Sequence, residues 1–185
     1  VHNDAIVSQV DKRPFTVGEN LAVTPGAVVW RTEMMELIQY NPTGEQVHAI
    51  PLLTVPPQIN KAYINDLSPQ KSVVQMQLAA GLQPFLISWR NPQAEQGHWG
   101  LEDYVDAVIE AIGVVCAITG SDKVNLAGAC SGGITLATIL SKMAAAKDDR
   151  ANSATLMVCV LQPEANDSEV GALVSANGIE LARKR

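Results

Sequence analysis

Residues 125–140, "NLAGACSGGITLATIL", decide how this chain is read. The stretch opens on the tail of an apolar run, "KVNLAG" (123–128), and passes into residues with helical spacing. Between the two stands Cys130, ringed by Gly128, Ala129, Gly132 and Gly133. Small residues at such a place let the backbone turn sharply and let another segment approach closely. A strand ending at 128 and a helix over 131–146 would hold the Cys130 thiol at the helix mouth.

The flanking segments extend the pattern. Residues 101–119 form the clearest helix: Glu102, Asp103, Asp106 and Glu110 share one face, and Leu101, Val105, Val108, Ile109, Ile112 and Val115 line the other. Upstream, "PFLISW" (84–89) and "PLLTVPP" (51–57) read as strands, the second closed by two prolines. Between them, Ser68-Pro69 reads as a helix start and Gly81 as its stop. "AVVWRTEMMELIQY" (27–40) reads as two strands of a hairpin or meander. Residues 1–26 are rich in turn formers and read as an irregular arm lying on the domain. Downstream, "ATLMVCVL" (154–161) reads as a buried strand, followed by a last helix around 168–184. Alternating strands and helices imply an α/β fold, a mostly parallel sheet with helices on both faces. Residues 27–185 would form the N-terminal and central part of one catalytic domain.

Bulk properties narrow the function. With 185 residues, 47% hydrophobic and 17% charged, the chain has the composition of a globular domain with a sizeable core. A net charge of −6 lacks the basic footprint that nucleic acid demands. No transmembrane segment is expected, since apolar runs stay well below about 18 residues. Cys116, Cys130 and Cys159 match no zinc or redox spacing, and their odd, sparse count points to reduced thiols in a cytoplasm. Cys116 and Cys159 are expected to be small buried hydrophobes. No cofactor and no metal is expected.

Gly128-x-Cys130-x-Gly132 between a strand and a helix is the nucleophile elbow of an α/β-hydrolase, with cysteine where serine is usual. A phosphate-binding loop is the competing glycine-rich reading, but no lysine follows these glycines and the dinucleotide spacing is absent. The elbow has two chemical consequences. Partial positive charge at the helix N-terminus favours negative charge developing there. The Ser131 N–H can hold the oxygen of a tetrahedral intermediate, and a second donor is expected from the loop after "LLTVPP", near Gln58 and Ile59. Cysteine also selects among reactions. Moving an acyl group from a thioester onto a thiol exchanges one thioester for another, so the acyl-enzyme keeps its reactivity toward an alcohol. That suits acyl transfer from coenzyme A better than simple hydrolysis.

With these residues in place, the chain resembles the bacterial polyhydroxyalkanoate synthases. The resemblance rests on "GENLAVTPGAVVWR", "ELIQYNPT", "PLLTVPPQINKAYINDLSP", "FLISWRNP", "WGLEDYVDAV" and "GACSGGIT". Gln58, Ser68, Ala129 and Ser131 look like the medium-chain, pseudomonad type. The resemblance implies transfer of (R)-3-hydroxyacyl groups from coenzyme A to a growing polyester, with Cys130 carrying the acyl chain. It also implies a cytoplasmic enzyme at the surface of polyester storage granules, a homodimer when full length. Asn60, Lys61 and Asp66 fall in the family's Ile-Asn-Lys…Asp-Leu segment, near its active-site cleft; Gln58, just before it, and Asn60 and Asp66 become candidate substrate contacts, the alternative for Asn60 and Asp66 being that they cap turns. Arg90 in "SWRNP" is placed at the sheet's carboxyl edge. Trp89 and Trp99 are expected to pack.

A hydrolase triad runs nucleophile, acid, histidine along the chain. Here His2, His48 and His98 all precede Cys130, and His98 is expected at the surface. The family's acid and histidine lie beyond residue 185, so the chain is expected to be an internal fragment, inactive alone. Gln162 stands where the family usually has an aspartate, and Glu164 and Asp167 are not in the triad-acid position. Two other functions fit the elbow: a cysteine-type α/β-hydrolase resembling dienelactone hydrolase, and a non-catalytic hydrolase-fold binding protein.

Overall fold

Val28, Ile38 and Leu86 lie side by side on three neighbouring strands, and the sheet grows from this edge. The computed structural model describes residues 11–161. β1 (Gly26–Arg31) and β2 (Met35–Tyr40) form the expected antiparallel hairpin, with an irregularity between Val28 and Trp30. Its turn is made locally: the Thr32 hydroxyl accepts from the N–H groups of Met34 and Met35, each at 3.2 Å. β3 (Leu52–Val55) follows, then the short strands β4 (Asp66–Ser68) and β5 (Lys71–Ser72), which pair with each other.

The helix expected to start at Ser68-Pro69 begins later. Ser68 belongs to β4, and Pro69 and Gln70 make the turn into β5. Ser72 is the true cap: its hydroxyl accepts the Gln75 N–H at 2.9 Å and opens α1 (Val73–Ala79). Ser-Pro serves a turn as well as a helix start, and pairing with Lys71 decides between them here. Gly81, at φ +74°, ends the segment as expected.

β6 (Pro84–Trp89), α2 (Leu101–Thr119), β7 (Val124–Ala129), α3 (Ser131–Ala145) and β8 (Ala151–Met157) complete the described fold. The strand order is β1-β2-β6-β3-β7-β8, with β6, β3, β7 and β8 parallel. Successive β6 side chains point to opposite faces. Phe85 and Ile87 enter the main core with Val105, Val108 and Ile112 of α2 and Leu136 and Ile139 of α3. Leu86 points the other way, joining Tyr40, Val74 and Leu78 beneath α1. Helices therefore cover both faces.

Two burial expectations change. Leu101 is half exposed, and Ala111 takes a fully buried place on the inner face of α2. β8 spans 151–157 and is largely exposed, not a buried strand over 154–161. Among the described residues it pairs only with β7, so an apolar run there stands at an edge. The helix expected at 168–184, residues 1–10 of the arm, and Gln162, Glu164 and Asp167 lie outside the described residues.

This order fixes where chemistry can sit. The chain leaves β3 for β6 on one side, then crosses to β7 on the other. Ligand crevices in open α/β sheets form at such a switch point, beyond the carboxyl ends of the strands. The segment after β3 and the turn after β7 both emerge there.

Candidate active site

Cys130 joins β7 directly to α3, at φ 51° and ψ −123°. A side chain rarely tolerates that backbone, and the surroundings hold it in place. Its N–H donates to the Met157 carbonyl of β8 at 3.0 Å. Its carbonyl accepts from Gly133 at 2.9 Å and Ile134 at 3.1 Å, closing the first turn of α3. The thiol is exposed.

The glycines are needed for contact. A Cβ on Gly132 would lie 2.3 Å from the Val55 carbonyl oxygen and 2.8 Å from that of Pro56. A Cβ on Gly128 would lie 2.9 Å from the Gly132 oxygen and from the Gly133 Cα. Strand β7, helix α3 and the end of β3 therefore meet backbone to backbone. Gly133 faces Cys159, whose Sγ lies 2.9 Å from the place of a Gly133 Cβ.

Pro56 and Pro57 have no N–H, so the first backbone donor beyond β3 belongs to Gln58. Trp89, buried at the end of β6, donates its indole N–H to the Pro56 carbonyl at 2.8 Å and steadies this segment. The Gln58 side chain reaches α3: Oε1 accepts from the Ser131 hydroxyl at 3.0 Å, and Nε2 donates to Thr135 Oγ1 at 2.8 Å. Thr135 Oγ1 in turn donates to the Ser131 carbonyl at 3.0 Å. The first N–H groups of α3 have no partner within their own helix, Ser131's among them. The Gln58 segment is thus tied to the first turn of α3, next to Cys130.

The other candidate residues divide. Ile59 is 86% exposed and its side chain is available from solvent. Asn60 is half-buried, and its N–H closes a turn onto Pro57 at 3.1 Å. Asp66 departs from the substrate-contact expectation. It is buried, and its two carboxylate oxygens accept the Thr24 N–H at 3.0 Å and the Thr24 hydroxyl at 2.7 Å. Its carbonyl takes the Ala22 N–H at 2.8 Å, so Asp66 pins the irregular arm. A carboxylate spent in this way faces the protein, not a ligand.

Arg90 is partly exposed, with Nη1 3.6 Å from a Glu33 carboxylate oxygen. Trp89 and Trp99 both pack edge-on against Tyr104, with ring centroids 5.3 and 6.3 Å away. His98 lies at the surface, its Nδ1 3.1 Å from the Glu95 carbonyl oxygen. The N–H of His48 binds the Gly81 carbonyl at 2.8 Å, just ahead of β3, at the edge opposite Cys130. Cys116 and Cys159 are half-buried, not fully enclosed. Burial pushes the Cys116 thiol up; the Arg150 charge opposes this, and Asp122 and Asp148 add to it. Sequence reading missed Thr135, although its i+4 spacing from Ser131 places it on the same helix face. It also missed Thr24, whose bond to Asp66 spans 42 residues and leaves no local signal.

Comparison with known proteins bears on the family and the fold. Residues 1–77 match the family model described as the poly-beta-hydroxybutyrate polymerase (PhaC) N-terminus. The whole chain aligns with poly(3-hydroxyalkanoate) polymerase 1 of Ectopseudomonas oleovorans at 48% identity over 184 residues, covering 33% of that protein. Polymerase 2 of the same organism is also 48% identical, over 185 residues and 33% of its length. The polymerase subunit PhaC of Cupriavidus necator is 46% identical over 156 residues, which are 84% of this chain and 26% of that one. The chain thus spans about a third of the length of the first two relatives. Among solved structures, a Rhizomucor miehei esterase superposes with a TM-score of 0.57 at 15% identity, covering 83% of this chain and 49% of the esterase. An alpha/beta hydrolase enzyme from the metagenome of Lake Arreo gives 0.53 at 14% identity, covering 72% and 43%. These two likenesses establish the α/β-hydrolase fold. By its sequence over the full 185 residues this chain belongs with the poly(3-hydroxyalkanoate) polymerases, and its residues 1–77 match the N-terminal model of that family.

Proposed function

We propose that the whole protein containing this chain is a polyhydroxyalkanoate synthase that builds polyester through a thioester on Cys130. The observation that carries this reading is an exposed thiol held at φ 51° between β7 and α3, in a chain of the polymerase family. The Cys130 sulfur attacks the carbonyl carbon of an (R)-3-hydroxyacyl-coenzyme A. The Ser131 N–H, with a donor after β3, receives the oxyanion. Collapse of the intermediate expels the coenzyme A thiolate, which takes up a proton, and leaves the acyl group on Cys130. The hydroxyl of a second acyl unit then attacks that thioester, forming the ester bond and returning the thiol. Deprotonating that hydroxyl calls for a base. Such an enzyme works in the cytoplasm at the polyester granule surface, as a homodimer, and the small Ala129 and Ser131 beside the thiol suit medium-length acyl arms.

The test measures coenzyme A release and polymer from the whole protein. Cys130→Ala should abolish both, while Cys116→Ala, which changes a thiol packed against the core, should keep substantial activity. A folded Cys130→Ala protein that still makes polymer would overturn the assignment.

A further inference from the structure

The segment after β3 carries a side chain whose polar atoms are turned toward the protein. Gln58 Oε1 accepts from Ser131, Nε2 donates to Thr135, and Thr135 closes the ring onto the Ser131 carbonyl. These bonds cross 73 and 77 residues and join two segments that never meet in sequence. One segment carries the first N–H beyond the Pro56-Pro57 pair, and the other carries the first N–H of α3. Gly132 lets their backbones touch, at the Val55 and Pro56 carbonyls.

We infer that Gln58 is a positioning residue: its amide clamps the first turn of α3 and so sets the spacing of the Gln58 and Ser131 backbone N–H groups around the oxyanion, rather than contacting substrate. This rests on Cys130 as the acyl-carrying nucleophile. The chemical reason is geometric. Two donors stabilise a tetrahedral oxygen only when both point at one place, and their value falls steeply with misplacement. The proline pair stiffens the backbone before Gln58, and Trp89 fixes the Pro56 carbonyl. Neither reaches α3. The Gln58 amide makes that link, and its carbonyl oxygen is already occupied by the Ser131 hydroxyl.

The test uses the whole protein in three forms: Gln58→Leu, the double variant Ser131→Ala/Thr135→Val, and the two combined. The double variant removes the clamp's partners yet keeps the Gln58 amide for any substrate. Steady-state coenzyme A release gives kcat and KM, and iodoacetamide gives the alkylation rate of Cys130, a reaction that needs no oxyanion donors. Gln58→Leu should lower kcat about 10–100-fold, with KM within about twofold and alkylation unchanged. The double variant should show the same loss, and the combined variant should be no worse, because one linkage has been cut twice. Full kcat in Gln58→Leu overturns the inference. So does a raised KM at constant kcat, a normal double variant beside a crippled Gln58→Leu, or alkylation that falls in step with kcat. Should Gln58→Leu fail to fold, the double variant decides alone. Cys130→Ala separates the two failures: a polymerising Cys130→Ala refutes the nucleophile, whereas an inert one beside an unaffected Gln58→Leu refutes only the clamp.

Discussion

At Cys130 the backbone stands at φ 51° and ψ −123°, where a Cβ is unwelcome and glycine is not. Strain of this kind costs about 1–3 kcal/mol. Replacing the thiol separates strain from chemistry. Cys130→Gly should unfold at higher denaturant than Cys130→Ala, by about 1–2 kcal/mol, although both lack the nucleophile. Equal stabilities would show the turn to be relaxed. Gly132 obeys a different constraint, contact instead of conformation. Gly132→Ala would place a methyl group 2.3 Å from the Val55 carbonyl oxygen, between two backbones that cannot swing aside. We expect a loss of about 1–3 kcal/mol in urea unfolding.

Between elements, Asp66 and Tyr40 tie the arm and the hairpin to the sheet's α1 face. Asp66→Ala would leave the Thr24 N–H and hydroxyl without their carboxylate acceptors in a buried place. A cost of about 1–3 kcal/mol follows, and proteolysis should quicken in the arm before β1. In the whole protein, KM should hold, because the carboxylate faces Thr24. Tyr40, on β2, has its phenol pushed up to about 12, first by burial and then by the Asp66 charge. The fold therefore favours the neutral phenol. Its contribution is fully present below about pH 10, the ordinary tyrosine value, and is lost as pH rises toward 12. Over that window, the wild type should lose on the order of 2 kcal/mol more stability than Tyr40→Phe, as read from unfolding at stepped pH.

For the molecule as a whole, the strand order brings Cys130, the Gln58 segment and Trp89 to one edge of the sheet. It leaves His48 at the other edge and His98 bonded at the surface. A placed histidine base typically contributes about 10²–10⁴ in rate, and neither of these stands at the elbow. Residues 1–185 expressed alone should release at most one equivalent of coenzyme A from a 3-hydroxyacyl thioester and make no polymer. Repeated turnover by this chain would show that the required base lies within it.

What the sequence determined by itself is local. The periodicity of 101–119, the hairpin at 27–40, the stop at Gly81 and the elbow at 128–132 all follow from interactions within a few residues. Steric limits on φ, strand alternation and helix spacing act at that range, so they are legible in the letters. Whether an apolar run is covered depends on which strand lies beside it. "TLMVCVL" therefore read as core, while the strand order put β8 at an edge among the described residues. Ser68-Pro69 could open either a helix or a turn, and pairing with Lys71 chose the turn. Asp66 and Gln58 looked alike as polar residues in one family segment. Tertiary structure alone turned the first toward Thr24 and the second toward Ser131 and Thr135, because both sets of bonds join residues that only the folded sheet brings together.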